Sequence, residues 1–185
     1  MPAVDPFPWL VFPPAVDLAN TAGPAGADLL TTPEQVSRFI AIERGRIPEV
    51  EAAEGRLQET RDIRETVRHL LASAVAGRPL DRHDVAQVNQ WSANSPTYPL
   101  LKDGTVSYWH AGRDPFLVFR GAVAHSAIQL AGDPQGSGLR VCSAPACGMF
   151  YLRTHPRQQW CSPACGNRAR VARHAARDRA ASQRT

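Results

Sequence analysis

The sequence predicts an α+β fold that is mostly α: an α-rich N-terminal body with one β-hairpin, then a small cysteine-bearing module that ends in a basic helix. Apolar residues recur at spacings of three and four in the first 135 residues, as in amphipathic helices. All four cysteines lie after that point. A run of glycine, proline and polar residues at 132–138 separates the two parts. We therefore divide the chain into residues 1–135 and 136–185.

The first part of the body contains candidate ligand-binding residues. Residues 7–12 are apolar and flanked by prolines, which predicts an edge strand or an extended arm. Asp17, Asn20 and Thr21 then precede a loop of glycine and proline at 23–26. These three side chains could line a ligand cleft, or they could cap a helix and satisfy the backbone groups of the loop.

Three helices are predicted in the middle of the body. Thr32, Pro33 and Gln35 combine a capping side chain, a proline at the first helical position and a glutamine three residues after the cap. A longer helix is predicted from about residue 51 to residue 76, ended by the glycine that follows. A third helix is predicted to begin at residue 81 or 82 and to end at residue 91.

The long helix carries three arginines on one side, Arg61, Arg64 and Arg68, with acidic residues of the same helix beside them. Pairs of this kind are common on helix surfaces and contribute little to stability. We therefore expect surface pairing within the helix, with Glu59, Asp62 and Glu65 as partners.

A hairpin and one more helix complete the body. Residues 100–109 have strand-forming composition on both sides of an Asp-Gly pair, which is typical of a two-residue hairpin turn. Asp114 and Pro115 then mark a helix start, and the apolar pattern continues to Ala131.

The cysteines form two close pairs, C-x4-C at Cys142 and Cys147 and C-x3-C at Cys161 and Cys165, separated by thirteen residues. Four thiols clustered in this way, with none elsewhere, are typical of one tetrahedral zinc site. We expect all four to hold a single structural Zn²⁺.

The local pattern predicts a treble-clef-like arrangement around these ligands. Residues 149–160 can fold back as a short hairpin that pairs 150–152 with 159–160. Ser162 is a suitable N-cap and Pro163 a suitable first residue for the helix that follows.

Three other uses of the cysteines remain open. Two disulfides are conceivable, although no export signal is visible. A redox-active dithiol usually shows C-x-x-C, which does not occur here. A catalytic zinc site keeps one coordination position open, whereas four thiolates fill the tetrahedron.

Charge is distributed unevenly along the chain. Residues 136–185 contain nine arginines and one aspartate, a net charge of +8, whereas the preceding residues carry a net charge of −4. A basic module on an acidic body is typical of a nucleic-acid contact, although a solvated arginine-rich helix is the simpler explanation.

The cysteine-bearing segment resembles the CGNR-type zinc finger over the last quarter of the chain. The features that carry the resemblance are Cys142, Cys147-Gly148, Phe150-Tyr151, the loop 153–157, Trp160-Cys161 and Cys165-Gly166-Asn167-Arg168. The resemblance implies a structural zinc ion, a basic helix that follows it, and Trp160, Gly166 and Arg168 as signature residues.

The body resembles the ABATE domain over residues 13–131. The resemblance rests on Val16 to Thr21, on Asp28-Leu29-Leu30, on the arginine-bearing helix, on Asn89 and on the hairpin. ABATE domains precede CGNR fingers in bacterial proteins described as stress-induced transcription regulators, which implies a regulatory function for this chain.

The basic helix predicts which side chains would meet DNA. At 100° per residue, Arg170, Arg173, His174 and Arg177 share one face, with Asn167 at its border. The opposite face contains Cys165, Ala169, Val171, Ala172, Ala175, Ala176 and Arg168. We therefore expect Arg168 to turn toward the finger or the body and to contact backbone carbonyls, Phe150, Tyr151 or Trp160.

These observations favour a DNA-binding transcription regulator whose body senses a signal or dimerises. The alternative is a zinc-stabilised module that binds protein or RNA without sequence-specific DNA contacts. A small-molecule effector and a homodimer are further partner hypotheses. No catalytic motif can be assembled, so we expect no enzyme activity. No apolar run is long enough to cross a bilayer, and we expect a cytoplasmic protein.

Overall fold

The computed structural model describes residues 12–43, 56–111 and 114–182. The fold is α+β and mostly α, as predicted. Its helices are α1 (Pro14–Asn20), α2 (Pro33–Glu43), α3 (Leu57–Val75), α4 (Arg82–Ala93), α5 (Pro115–Gly132) and α6 (Pro163–Ser182), with a short 3-10 turn at Pro24–Gly26. Its strands are β1 (Thr97–Lys102), β2 (Thr105–His110), β3 (Leu139–Val141) and β4 (Phe150–Leu152).

Helix α5 lies at the centre of the body. It packs against α1, α3 and α4, and most of its side chains are buried. Phe119 of α5 meets Phe39 of α2 edge to face, with ring centroids 6.0 Å apart. Because α5 is apolar on nearly all sides, it can serve as the common core element for the surrounding helices.

Side-chain caps fix the helix starts where the sequence predicts them. Thr32 and Gln35 form a reciprocal capping box, in which Thr32 Oγ1 accepts from Gln35 N and Gln35 Oε1 accepts from Thr32 N. Asp81 caps α4 and Asp114 caps α5. Gly77 has φ +63° and ends α3 as predicted.

The long helix begins later than predicted. Arg56 has a non-helical ψ of 79° and precedes the first helical residue, Leu57. The predicted start near residue 51 was therefore wrong, and residues 51–55 lie outside the described part of the chain. The arm predicted at 7–12 also lies outside it, except for Phe12.

The predicted hairpin of the body is confirmed. Strands β1 and β2 pair antiparallel, with Lys102 opposite Thr105. Asp103 and Gly104 have φ values of 50° and 75°, as a type I′ turn requires at both central positions.

The hairpin of the cysteine module has a different partner strand from the one predicted. Strand β4 pairs with β3, which precedes the first cysteine, with Val141 opposite Phe150. The predicted return strand at 159–160 is not formed. The turn between Cys142 and Met149 closes the β3–β4 hairpin directly, because Cys142 N donates to Met149 O at 2.8 Å.

The second hairpin shares its core with the body. Leu139 and Phe150 are buried in the same hydrophobic cluster as the residues of α1, α3 and α5. Strand β3 contacts α3, and β4 contacts α1. The boundary at residue 135 stays a prediction, but the segment after it completes the core of the segment before it.

None of the helices in the described ranges combines the length and the apolar character needed to cross a bilayer.

Candidate metal centre and nucleic-acid interface

The structure brings the four cysteines together. Their Sγ atoms all lie within 4.8 Å of one another. The Sγ of Cys147 is 3.7 Å from that of Cys161 and 3.6 Å from that of Cys165, and the Sγ atoms of Cys161 and Cys165 are 3.5 Å apart. A disulfide requires about 2.05 Å between sulfurs. All four cysteines are therefore free thiols, and the disulfide alternative is not realised.

These distances fit one tetrahedral zinc ion. A Zn–S bond of about 2.3 Å places the sulfurs of a regular tetrahedron about 3.8 Å apart. The observed separations of 3.5 to 3.7 Å are close to that value. Four cysteines positioned for one metal ion are consistent with a single structural Zn²⁺.

Two local structures hold the ligands. The first pair lies on a knuckle, residues 142–148, in which Gly148 N donates to Cys142 O at 3.3 Å and Cys147 N donates to Ala144 O at 3.0 Å. Ala146 and Gly148 adopt positive φ there. The second pair flanks the start of α6, where Ser162 Oγ accepts from Cys165 N at 3.2 Å.

N–H groups of the described residues donate to the ligand sulfurs. Cys161 N donates to Cys142 Sγ at 3.5 Å, and Arg168 Nη2 donates to Cys165 Sγ at 3.0 Å. The predicted direction of Arg168 toward the finger is therefore confirmed, but its partner is a ligand sulfur and not a backbone carbonyl or an aromatic ring. Its positive charge offsets part of the negative charge of a Zn(Cys)₄ centre.

Close packing explains the signature glycine. A Cβ on Gly166 would lie 3.2 Å from Cε3 of Trp160, which is tighter than an ordinary van der Waals contact. The indole therefore rests on the backbone of the first turn of α6, where a side chain would displace it.

Burial sets the proton affinity of the thiols. Without a metal ion, burial raises the pKa of the Cys147 thiol to about 11. Burial also raises the pKa of Cys161 well above its ordinary value. Burial acts in the same direction on Cys165, but hydrogen bonds with Ser162 and with the neighbouring thiols outweigh it and lower its pKa to about 7. A metal ion must therefore displace protons from Cys147 and Cys161 at neutral pH.

Helix α6 projects beyond the finger. Its residues from Arg170 to Ala180 are exposed or half-buried, and none is buried. Ala169, Ala172 and Ala175 are half-buried on the side that faces the finger. Val171 is 60% exposed, so its predicted inward position was wrong. Ala176 is also exposed, contrary to prediction, because by that point the helix has extended past the finger.

The five predicted DNA-contacting residues are all exposed, with differing neighbours. Asn167 Oδ1 accepts from Arg170 Nη1 at 3.2 Å. The guanidinium of Arg173 lies 5.9 Å from the ring centroid of Trp160. His174 Nδ1 is 2.8 Å from Asp178 Oδ2. Arg177 forms no hydrogen bond or ion pair within the described residues.

The polar trio of α1 lies inside the protein. Asp17, Asn20 and Thr21 are each 0% exposed. Asn20 exchanges two hydrogen bonds with the backbone of Phe150, and Thr21 Oγ1 donates to Leu18 O at 2.6 Å. These side chains therefore form hydrogen bonds with backbone groups. None of the three lines the depression between the loop 22–28 and the knuckle.

The arginines of α3 take most of their hydrogen-bond partners from outside their own helix, and the predicted pairing within the helix is seen for Arg64 Nε and Glu65 Oε1, which are 3.6 Å apart. Arg64 is 5% exposed and binds both carboxylate oxygens of Asp28, at 2.6 and 3.1 Å. Arg61 Nε donates to Leu30 O, and Arg68 Nη1 donates to Ala19 O at 2.6 Å. These contacts fasten α1 and the following loop to α3, and they depend on tertiary neighbours that helical spacing does not show.

An open depression of about 750 Å³ lies where the body meets the finger. The loop 22–28 and the knuckle form its walls, and Arg64 and Arg68 are among its lining residues. Ala25 N donates to Ala146 O at 3.0 Å and joins the two walls. The sequence signal for this site was the glycine-rich loop, but its opposite wall is formed by a segment more than 100 residues away.

Comparison with known families agrees with this architecture. Residues 13–134 match the family ABATE, whose description reads "Putative stress-induced transcription regulator". The chain belongs to the ABATE family. Residues 139–178 match the CGNR zinc finger. A search of curated proteins finds no match to this chain. The ABATE match covers the helical body and the CGNR match covers the cysteine cluster and most of α6, so both resemblances seen in the sequence are confirmed.

Proposed function

We propose that this ABATE protein is a transcription regulator that binds DNA through the basic face of α6. The observation that carries the proposal is a long helix with five arginines and one aspartate, which projects into solvent from a metal-pinned base. The ABATE and CGNR family descriptions support a regulator with a zinc finger.

Three of the five arginines of α6 and its histidine lie on one side of the helix. Arg170, Arg173, His174 and Arg177 lie opposite the half-buried alanine stripe and are all exposed. A helix that presents three arginines on one side and has no buried residue beyond its base has the shape and charge needed to meet a phosphate backbone or enter a major groove.

Four of the five predicted DNA-contacting side chains would serve DNA in different ways. Arg177 forms no hydrogen bond or ion pair within the described residues, so it is the best candidate for direct contact with DNA. Asn167 and Arg170 are hydrogen-bonded to each other and would present an amide and a guanidinium side by side to the DNA. Arg173 is steadied by Trp160, so its charge stays near the finger and would meet a phosphate there.

In this proposal the metal ion has a structural role. With all four thiolates engaged, no position is left for a substrate, and we assign the protein no catalytic role. The ion ties the base of α6 to the knuckle, and the knuckle is tied to the body. The direction of α6 relative to the body is thereby fixed.

We assign the body a sensing or dimerising role. The depression between the loop and the knuckle suits a small-molecule effector, because a ligand there would touch both parts of the chain. Within the described residues, Arg68 forms its hydrogen bonds through Nη1, which leaves Nε and Nη2 to meet an anionic group. We expect citrate or phosphate to raise the melting temperature of the wild type. Ser143 is exposed and lines the depression, so Ser143→Trp should fill the depression and abolish that shift. Equal increases in melting temperature for the wild type and Ser143→Trp would show that the ligand binds outside the depression.

The DNA-binding proposal is tested by fluorescence anisotropy with labelled duplex DNA across a salt series. The variant Arg170→Ala/Arg173→Ala/Arg177→Ala should bind more weakly and show a salt slope smaller by about two to three, since each phosphate contact contributes about one. The matched control removes three exposed arginines of the body, Arg38, Arg78 and Arg82, and should keep the slope.

The control variant also distinguishes an effect of α6 on DNA binding from an effect of the net charge of the protein. If both triple variants lose the same affinity, binding follows overall charge and α6 is not the interface. If duplex DNA binds no better than single-stranded RNA of equal length, or if only proteins are captured in a nuclease-insensitive manner, the alternative of an RNA- or protein-binding module replaces the proposal.

A further inference from the structure

Most of the exposed apolar side chains lie on one hairpin. Seven large hydrophobic side chains are exposed in the described part of the chain, and five of them belong to β1 and β2. They are Tyr98, Leu100, Leu101, Val106 and Tyr108. Isolated exposed hydrophobics are ordinary, but a contiguous apolar patch usually marks an interaction surface.

The strand register separates the two faces of this hairpin. Leu101 stands opposite Val106, and Pro99 stands opposite Tyr108, so these four side chains share one face. Leu101 is 72%, Val106 57% and Tyr108 70% exposed. We call Pro99, Leu101, Val106 and Tyr108 the outer face, and the register places Thr97 and His110 at the end of that face away from the hairpin tip.

The opposite face is closer to the body. It contains Tyr98 and Leu100, which are less exposed than the outer residues, and Trp109, which is half-buried. Trp109 Nε1 donates to Ser107 Oγ at 3.0 Å on that side. The outer face is therefore the one that lacks a packing layer in the described structure.

We propose that two copies of this chain associate through the outer faces of their β1–β2 hairpins. A two-stranded sheet is marginal by itself and gains stability from a second apolar layer. Two such faces can stack at the usual spacing of about 10 Å between sheets. Around a twofold axis, each copy would supply the layer that the other lacks.

Charge supports a second copy as the occupant. The four members of the outer face carry no charge at neutral pH, and Lys102 and Asp103 lie at the tip of the hairpin, while the register places His110 beyond Tyr108 at the other end of the same face. Two outer faces can therefore meet without burying an unpaired charge. A nucleic acid would find no lysine or arginine among these four side chains, so the face is distinct in chemistry from α6.

The available area fits a reversible dimer. Leu101, Val106 and Tyr108 expose on the order of 400 Å² together, given the usual size of such side chains. Two copies would bury about 800 Å² from these residues alone, and Pro99 and the hairpin tip would bring the total near the roughly 1,000 Å² of a specific interface. We therefore expect a dissociation constant on the order of micromolar.

Sedimentation velocity of the zinc-loaded full chain without DNA tests this inference. The wild type should pass from monomer to dimer as its concentration rises through the micromolar range. Tyr108→Lys should raise the dissociation constant at least about tenfold, because it places a charge at the centre of the apolar contact. Leu101→Lys should act in the same direction through a second exposed position.

Tyr98→Lys is the matched control, since it makes the same change on the opposite face of the same hairpin. It should leave the dissociation constant within about twofold of the wild type, and circular dichroism should show all three variants folded. A wild type that stays monomeric at high micromolar concentration overturns the inference. So does a dimer that Tyr108→Lys leaves intact, or one that Tyr98→Lys weakens equally. Because no DNA is present, these outcomes leave the proposed function of α6 unaffected.

Discussion

The side-chain amide of Asn20 forms two hydrogen bonds with the backbone of Phe150, one in each direction. Nδ2 donates to Phe150 O at 2.9 Å, and Phe150 N donates to Oδ1 at 2.8 Å. The amide thus acts as an extra peptide group at the edge of β4. It joins two residues 130 positions apart and ties the first helix of the body to the finger.

Replacement of Asn20 by alanine should destabilise the whole protein. The substitution leaves a buried N–H and a buried C=O of Phe150 without partners, which should cost about 2–4 kcal/mol in the free energy of unfolding. Urea unfolding followed by circular dichroism measures this loss. Asn89→Ala, an exposed asparagine of α4, should change the free energy by less than about 0.5 kcal/mol. Equal losses in the free energy of unfolding for the two variants would contradict this role of the Asn20–Phe150 hydrogen bonds.

Acid should remove the contribution of the Arg64–Asp28 pair. The hydrogen bond from Arg64 holds the pKa of Asp28 below its ordinary value of 3.8. A carboxyl whose folded pKa is depressed contributes stability above its unfolded pKa, and that stability is lost as the pH falls through the folded pKa. Asp28→Asn should therefore be less stable than the wild type at pH 6 to 7, and the difference should shrink below about pH 4. Unfolding curves at several pH values test this, and a difference independent of pH would contradict it.

Zinc affinity should rise with pH. Cys147 and Cys161 are protonated at neutral pH because burial raises the pKa of both thiols, so each must release a proton on binding. The pKa of Cys165 near 7 adds a third proton below neutrality. The logarithm of the apparent affinity should increase by at least about two per pH unit between pH 6 and 8 and more steeply at the acidic end. Competition with a chromophoric chelator measures it, and a flat profile would rule out this account.

Removal of the metal should also weaken the body. Leu139 and Phe150 belong to the core of the body, so release of the knuckle should loosen α1 and α3 as well as the finger. A chelator should lower the melting temperature of the single main transition, and added zinc should restore it. Metal analysis should give one zinc per chain. A body that melts unchanged after chelation would show that the finger folds separately.

Arg168 should act on the metal centre more than on DNA. Its Nη2 contacts Cys165 Sγ at 3.0 Å, so Arg168→Ala should weaken zinc binding about 10- to 100-fold. Arg179→Ala, an exposed arginine of the same helix, should leave zinc affinity unchanged. The salt slope of DNA binding should remain near the wild-type value in the zinc-loaded Arg168 variant. A large loss of slope with normal zinc affinity would make Arg168 a DNA-contacting residue instead.

Local chemistry made much of the fold predictable. The capping box at Thr32, the Asp-Gly turn of the first hairpin and the cap at Asp114 each depend on residues a few positions apart. Such contacts are nearly independent of the rest of the protein. The same holds for the cysteine spacing, because a tetrahedral thiolate site admits few arrangements of close pairs.

Predictions that depended on distant partners were less reliable. The strand at 150–152 was given a partner at 159–160, but it pairs with 139–141. Helical spacing placed Val171 on the inner side, whereas it is 60% exposed although Ala172 and Ala175, farther along α6, are half-buried. In each case the pattern along the chain was compatible with more than one neighbour, and packing chose between them.

The sequence by itself determined the helix limits set by caps, the metal ligands, the family and the concentration of positive charge after residue 135. Tertiary structure alone decided that Asn20 would hold Phe150, that Arg64 would bind Asp28, and that the finger would complete the core of the body. The physical reason is that caps, turns and ligand spacings are satisfied within a few residues. A buried amide or guanidinium, in contrast, must take whichever partner the folded chain brings within hydrogen-bonding distance.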